Sequence, residues 1–239
     1  MNILTIGNSF SQDATHYLHA IARKEGKRVD VCNLYLGGCS LERHYRLMLA
    51  DTRTHILEFN GHSTGFTVSM KEALCSRAWD VVTLQQVSTE SFKSESFFPY
   101  ITELANYVRR FSPKARIMLH ETWSYEDGSE NLYSLGFEHS EEMLAGIMKT
   151  YREVAPEIGA DAIIPSGEVI GRLERGGMGE LYRDHCHLSF DRGRYASGML
   201  LAGMLAGCDP VTNKFTDTDN EIPEADRRVI ASTVASFLK

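Results

Sequence analysis

Apolar residues along this chain switch repeatedly between two spacings, and the switches predict its elements. Residues 2–6 form a short apolar, partly β-branched run that ends at Gly7, as a buried parallel strand entering a turn does. Directly afterwards Ala14, Tyr17, Leu18, Ile21 and Ala22 recur three and four positions apart, giving one stripe of a helix, and Gly26 supplies a stop. The alternation then repeats. Strands are expected at 28–36, closed by Gly37-Gly38, and at 79–84, 116–120 and 161–165. Between them, one helix carries Ile101, Leu104, Ala105 and Val108 on a single face and another carries Met143, Leu144, Ile147, Met148 and Tyr151; two last helices are expected at about 191–206 and 223–238.

Strands alternating with helices imply a mainly parallel, five-stranded α/β sheet covered on both faces. One stretch departs from the rhythm. Residues 55–59 and 65–70 flank Asn60-Gly61, which reads as a small β-hairpin inserted at about 54–70. With no internal repeat, low-complexity tract or linker, the expectation is a single domain over residues 1–239, a length sufficient for a large core.

Composition narrows the functions available. A hydrophobic fraction of 43% and a charged fraction of 24% suit a globular protein, and a net charge of -7 without any Lys/Arg tract argues against a nucleic-acid partner. Five cysteines, odd in number and without Cys-x-x-Cys spacing, suggest neither a disulfide framework nor a structural zinc site. The opening residues lack a basic, apolar leader pattern, and no run of about 18 apolar residues occurs that would cross a bilayer. The expectation is a cytoplasmic protein with no membrane partner.

In an open parallel sheet, ligands bind beyond the carboxyl ends of the strands, where the strand order reverses. Ser9 follows the first expected strand, Gly37-Gly38 the second, Gln85-Gln86 the third and Trp123 the fourth, so all should gather along one edge. At the far end of the chain Asp184-His185-Cys186-His187 supplies an acid and an imidazole three residues apart, the requirement for a base held in one tautomer. Ser9 is therefore the expected nucleophile, His187 the base and Asp184 its orienter; His185 is the competing imidazole, placed beside Asp184 where neighbouring side chains diverge. The N–H groups of Ser9 and Gly38, with a side-chain amide from Gln85 or Gln86, are the expected oxyanion donors. The aromatic residues Trp123, Tyr125, Tyr133 and Phe137 lie in a long connection, and Trp123 is the expected substrate contact.

These residues resemble the marker blocks of the SGNH (GDSL-like) hydrolase superfamily. Gly7-Asn8-Ser9-Phe10-Ser11 matches the first block with Asn8 where many members carry Asp, Gly37-Gly38-Cys39-Ser40 matches the Gly block, and Asp184-x-x-His187-Leu188-Ser189 matches the last. The Asn block is replaced by Leu84-Gln85-Gln86-Val87-Ser88, similar to a Gln-containing variant among carbohydrate-esterase-like branches, so the third donor is assigned to Gln85, with Gln86 as the fallback. The resemblance implies a flavodoxin-like three-layer α/β/α sandwich and ester hydrolysis with no cofactor and no metal. It further implies a small-molecule or carbohydrate ester as substrate, with a short acyl group, acetyl above all, removed.

Other readings of the same residues stay open at this level. A longer-chain lipase or thioesterase would use the same three groups, a non-catalytic sugar-binding protein would keep the fold without the reaction, and Asp184, His185 and His187 supply N and O ligands for a metal. Ser9 alone is also compatible with a simple helix cap, and His120 and Glu121 with either a pocket lining or buried polar structure.

Overall fold

In the computed structural model, which describes residues 1–238, the elements in chain order are β1 (Asn2–Gly7), α1 (Ser9–Thr15), α2 (Leu18–Lys24), β2 (Asp30–Tyr35), α3 (Leu41–Ala50), β3 (His55–Phe59), β4 (His62–Val68), α4 (Met70–Cys75), β5 (Val81–Leu84), α5 (Tyr100–Phe111), β6 (Arg116–His120), α6 (Glu130–Ser134), α7 (Ser140–Glu157), β7 (Ala162–Ile164), α8 (Ser166–Arg175), α9 (Arg192–Ala206) and α10 (Glu224–Ala235). The strands form one sheet in the order β4-β3-β2-β1-β5-β6-β7. β2, β1, β5, β6 and β7 are parallel, which is the five-stranded, flavodoxin-like arrangement expected, and the reversal of strand order falls between β1 and β5.

The hairpin is present, but it is not a separate insertion. β3 pairs antiparallel with β2, in register from Tyr35 opposite Ile56 to Cys32 opposite Phe59, and β4 pairs with β3, so the sheet has seven strands rather than five. Extending the sheet satisfies the backbone groups that β2 would otherwise leave at an open edge.

The expected helix over Ala14–Ala22 is broken into α1 and α2 at His16-Tyr17. Thr15 Oγ1 bonds back to the Ser11 carbonyl at 2.7 Å, a competing contact that loosens a helix end, and the chain restarts at Leu18. The predicted stop holds: Gly26 takes a left-handed φ of 71° and its N–H reaches the Arg23 carbonyl. All four residues of β5 are buried, as are Ile3, Leu4 and Ile6 of β1, because helices cover both faces of the central strands. α9 is buried over most of its length and packs against α1, α2, α8 and α10, carrying the segment that precedes it, residues 183–191, onto the carboxyl edge of the sheet.

Candidate active site

Ser9 is the first residue of α1, two residues beyond the end of β1. The cap of that helix is Asn8, whose Oδ1 accepts the Phe10 N–H at 3.0 Å, so the Ser9 hydroxyl is not used for capping. Ser11 is occupied as well, its hydroxyl lying 2.8 Å from both the Asn8 carbonyl and Asn33 Oδ1. Asn8 also joins three strand ends: its Nδ2 donates to the Cys39 carbonyl at 3.1 Å, and its Oδ1 accepts Gln85 Nε2 at 2.8 Å.

The late acid-imidazole pair meets this turn. His187 Nε2 is 2.7 Å from Ser9 Oγ, and His187 Nδ1 is 2.8 Å from Asp184 Oδ2 and 3.0 Å from Oδ1. With Nδ1–H donated to the carboxylate, Nε2 is left as the acceptor facing the serine hydroxyl. Partial burial of Asp184 works against its ionisation, but the His187 N–H, the His187 ring and the Cys186 N–H all favour the anion and hold the carboxyl down at about 2. His185 does not compete. It adopts a left-handed φ of 68° and turns its Nδ1 to Glu126 Oε2 at 2.6 Å, away from Asp184.

Residues that sequence reasoning did not single out hold the 183–188 loop in place. Asp13, one turn beyond Ser9 on α1, is 0% exposed and accepts Arg183 Nη1 on both oxygens at 2.9 Å, Arg194 Nε at 2.9 Å and the Leu188 N–H at 3.1 Å. One carboxylate thus ties the nucleophile's helix to both sides of the Asp184–His187 turn. A carboxylate four residues after Ser9, in a helix whose neighbours Phe10 and Ala14 are buried, was the available signal. Phe10 stacks on Trp123 at 4.1 Å and meets the His187 ring edge-on at 5.8 Å, while Trp123 Nε1 donates to the Cys186 carbonyl at 2.8 Å.

Three expectations for individual residues are revised by this packing. Trp123 is 0% exposed, so it cannot present a ring face to substrate; it supports Phe10 and the histidine loop from beneath. Gln85 is buried with its Nε2 donated to Asn8 and its Oε1 2.8 Å from His120 Nδ1, so its amide orients the Ser9 turn instead of standing free as an oxyanion donor. The fallback Gln86 is committed further: Nε2 bonds Ser96 twice at 3.1 Å and Oε1 accepts the Leu41 and Val87 N–H groups. Gly38 is exposed in a left-handed turn (φ 59°), next to Cys39, whose carbonyl accepts from Asn8. Of the remaining aromatic residues, Tyr125 is nearly buried with its hydroxyl 3.0 Å from Ser88, Phe137 packs edge-on against Phe92, and Tyr133 is exposed.

His120 and Glu121 are buried structure. His120 bridges Gln85 and Ser166, and burial lowers its pKa to about 4, leaving a neutral ring. Glu121, 1% exposed, is pushed up to about 8 by burial and by the nearby Glu168 carboxylate. A carboxyl whose folded pKa lies above its unfolded value binds more protons in the folded state, so stability is full below about 4.5 and falls as pH rises toward 8. Glu121→Gln should therefore melt close to the parent at pH 5 and above it at pH 9; a melting difference independent of pH would count against a protonated Glu121.

Parallel strands ordered around a switch point, with a serine after the first and a late Asp-x-x-His meeting it, are the arrangement of the SGNH-hydrolase fold. The chain belongs to the family described as a domain of unknown function, DUF4886, which matches residues 2–234. Among solved structures it is similar to a DUF4886 family protein from Bacteroides uniformis ATCC 8492, with a TM-score of 0.91 and 26% identity over 99% of this chain and 93% of that one. It is similar also to a protein from Slackia heliotrinireducens assigned to the SGNH hydrolases (TM-score 0.62, 25% identity, 84% of this chain and 97% of that one). A variant of an acetyl-xylooligosaccharide esterase from Geobacillus shares the fold at a TM-score of 0.50 and 13% identity, over 84% of this chain and 90% of that one. No curated protein matches the chain in sequence. No helix among the described residues is long and apolar enough to cross a membrane.

Proposed function

We propose that the protein is a serine esterase that removes a short acyl group, acetyl in the first instance, from a carbohydrate or similar small polyol. The observation that carries this reading is the unbroken chain from Ser9 Oγ to His187 at 2.7 Å and from His187 to Asp184 at 2.8 Å. In the reaction, Ser9 Oγ attacks the acyl carbonyl while His187 Nε2 takes its proton. His187 then returns that proton to the departing alcohol, leaving an acyl-serine; water, deprotonated by the same ring, releases the acid and restores Ser9. Asp184, ionised down to about pH 2, stabilises the imidazolium formed in each half. The oxyanion is received by the backbone N–H groups of Ser9 and Gly38, with Gln85 acting through Asn8 to fix the Ser9 turn.

Two observations favour a short acyl group. The apolar side chains beside the nucleophile, Phe10 and Trp123, are already packed on one another and buried, so they line no slot for a long chain. The likeness in fold to an esterase of acetylated xylooligosaccharides points the same way for the alcohol side. A series of p-nitrophenyl esters tests this: kcat/KM should be highest for acetate and fall by about tenfold or more by octanoate, since added methylenes that find no pocket gain nothing and clash. A rate that rises with chain length would assign the site to lipid-type esters.

A further inference from the structure

Between the acid and the base of the proposed catalytic set stands Cys186, and its thiol does not point away from them. Cys186 Sγ lies 3.3 Å from His187 Nδ1 and 3.5 Å from Asp184 Oδ1, while Nδ1 and the carboxylate are 2.8–3.0 Å apart. The three side chains therefore offer one sulfur, one nitrogen and one oxygen within 4.8 Å of one another. A tetrahedral zinc ion bound at about 2.3 Å to sulfur and about 2.0 Å to nitrogen and oxygen separates its S and N or O ligands by about 3.6 Å, and its N and O ligands by about 3.3 Å. The two sulfur edges are already near those lengths. With Asp184 Oδ1 as the oxygen ligand, only its 3.0 Å edge to Nδ1 must widen, by about 0.3 Å, as an ion takes the place of the shared proton. The cluster is also open to solvent, with half of the Asp184 side chain and a quarter of the His187 side chain exposed. His185, held by Glu126, is not among the ligands.

We propose that Asp184, Cys186 and His187 chelate a single thiophilic divalent cation such as Zn2+, and that the bound ion withdraws His187 from its role toward Ser9. Binding releases the Cys186 thiol proton to solvent and places the metal on Nδ1, so the proton of the neutral ring moves to Nε2. That nitrogen then donates to Ser9 Oγ and can no longer accept its proton. Water fills the fourth position of the ion. The inhibitory consequence rests on the esterase reading; the binding site does not.

The test competes ZnCl2 against a chromogenic zinc chelator, using the full chain as parent, Cys75→Ser and Cys186→Ser; Cys75 is the exposed thiol away from the site. One equivalent of zinc should bind to the parent and to C75S, and at least about tenfold more weakly to C186S, the usual cost of disturbing a metal's ligand environment. Nitrogen-detected NMR of the histidine rings should show His187 Nδ1 changing from protonated to metal-bound. Hydrolysis of p-nitrophenyl acetate should fall with the same zinc midpoint and recover with EDTA, each variant being compared with its own metal-free rate. Equal affinity in C186S and the parent, or no binding up to about 100 μM zinc, a weak limit for a three-ligand site, would overturn the site. Zinc bound through Cys186 with an unchanged rate would overturn the withdrawal of His187, and zinc bound through Cys186 in a protein without ester hydrolysis would support the site while removing the esterase reading.

Discussion

His187→Ala should lower kcat/KM for p-nitrophenyl acetate by about four to six orders of magnitude, and Ser9→Ala should do the same. The two losses should not add. Ser9 and His187 act as one unit across a 2.7 Å hydrogen bond, so once either is gone the other has no reaction to assist. The double variant should therefore retain about the residual rate of each single one, whatever background the site's N–H donors and substrate binding provide. Neither substitution should move the melting temperature by more than a few degrees, because both side chains are partly exposed and neither belongs to the packed core. Steady-state kinetics together with thermal melts separate this outcome from a general loss of folding. Independent, multiplicative losses of about tenfold each would indicate that the two residues bind substrate without performing chemistry.

Asp13→Ala should give the largest loss of stability of any single polar substitution near the site. Its carboxylate is fully buried and meets two guanidinium groups and a backbone N–H, so its removal leaves Arg183 without an acidic partner and the buried Arg194 with only the half-exposed Asp219 carboxylate at 3.4 Å. Breaking a buried ion pair in this way costs about 3–5 kcal/mol, against a total stability of about 5–15 kcal/mol for a folded domain. For a chain of this length that corresponds to a melting temperature lower by on the order of 10 °C. Hydrolysis should suffer beyond what unfolding explains. Asp13 is the contact that holds the 183–188 turn against the nucleophile's helix, and a displacement of about 1 Å at His187 is enough to cost about 100-fold in rate. Asp13→Asn, which keeps the shape and some of the hydrogen bonds, should fall between Ala and the parent. A variant within about 0.5 kcal/mol of the parent in urea unfolding would show that the arginines find other partners.

Much of this architecture is legible in the order of the residues, and the gaps have identifiable causes. The central strands announce themselves because both of their faces are buried, so that Ile3, Leu4 and Ile6 or Val81 and Val82 leave uninterrupted apolar runs. Asn60-Gly61 marks the hairpin, but its docking onto β2 depends on pairing Tyr35 with Ile56, a long-range match that no local pattern encodes. α4 is too short to show a period, whereas α3 and α8 carry one-sided apolar stripes that the strand–helix alternation does not single out; Ser40 and Ser69 cap the starts of α3 and α4. Helix α1 is also short, and its division from α2 at His16-Tyr17 interrupts no apolar stripe.

The same contrast runs through the site. Ser9, Asp184 and His187, which the fold brings within hydrogen-bonding distance, can be chosen from motif order alone, since each residue's chemistry is visible in its type. The supporting residues cannot. Trp123 looks like a substrate platform until Phe10 is seen to cover its face, and Gln85 looks like a donor until Asn8 and His120 are seen to occupy its amide. Asp13 is unremarkable in sequence and central in space because its partners lie about 170 and 181 positions away.

The central claim is that Ser9 is a nucleophile activated by His187, and covalent capture tests it most directly. Incubation with a fluorophosphonate probe, followed by intact-mass analysis and peptide mapping, should show one adduct per chain on Ser9, with labelling lost in Ser9→Ala and slowed by about 1,000-fold or more in His187→Ala. An unlabelled parent, or an adduct carried by another residue while Ser9 stays free, would contradict the account.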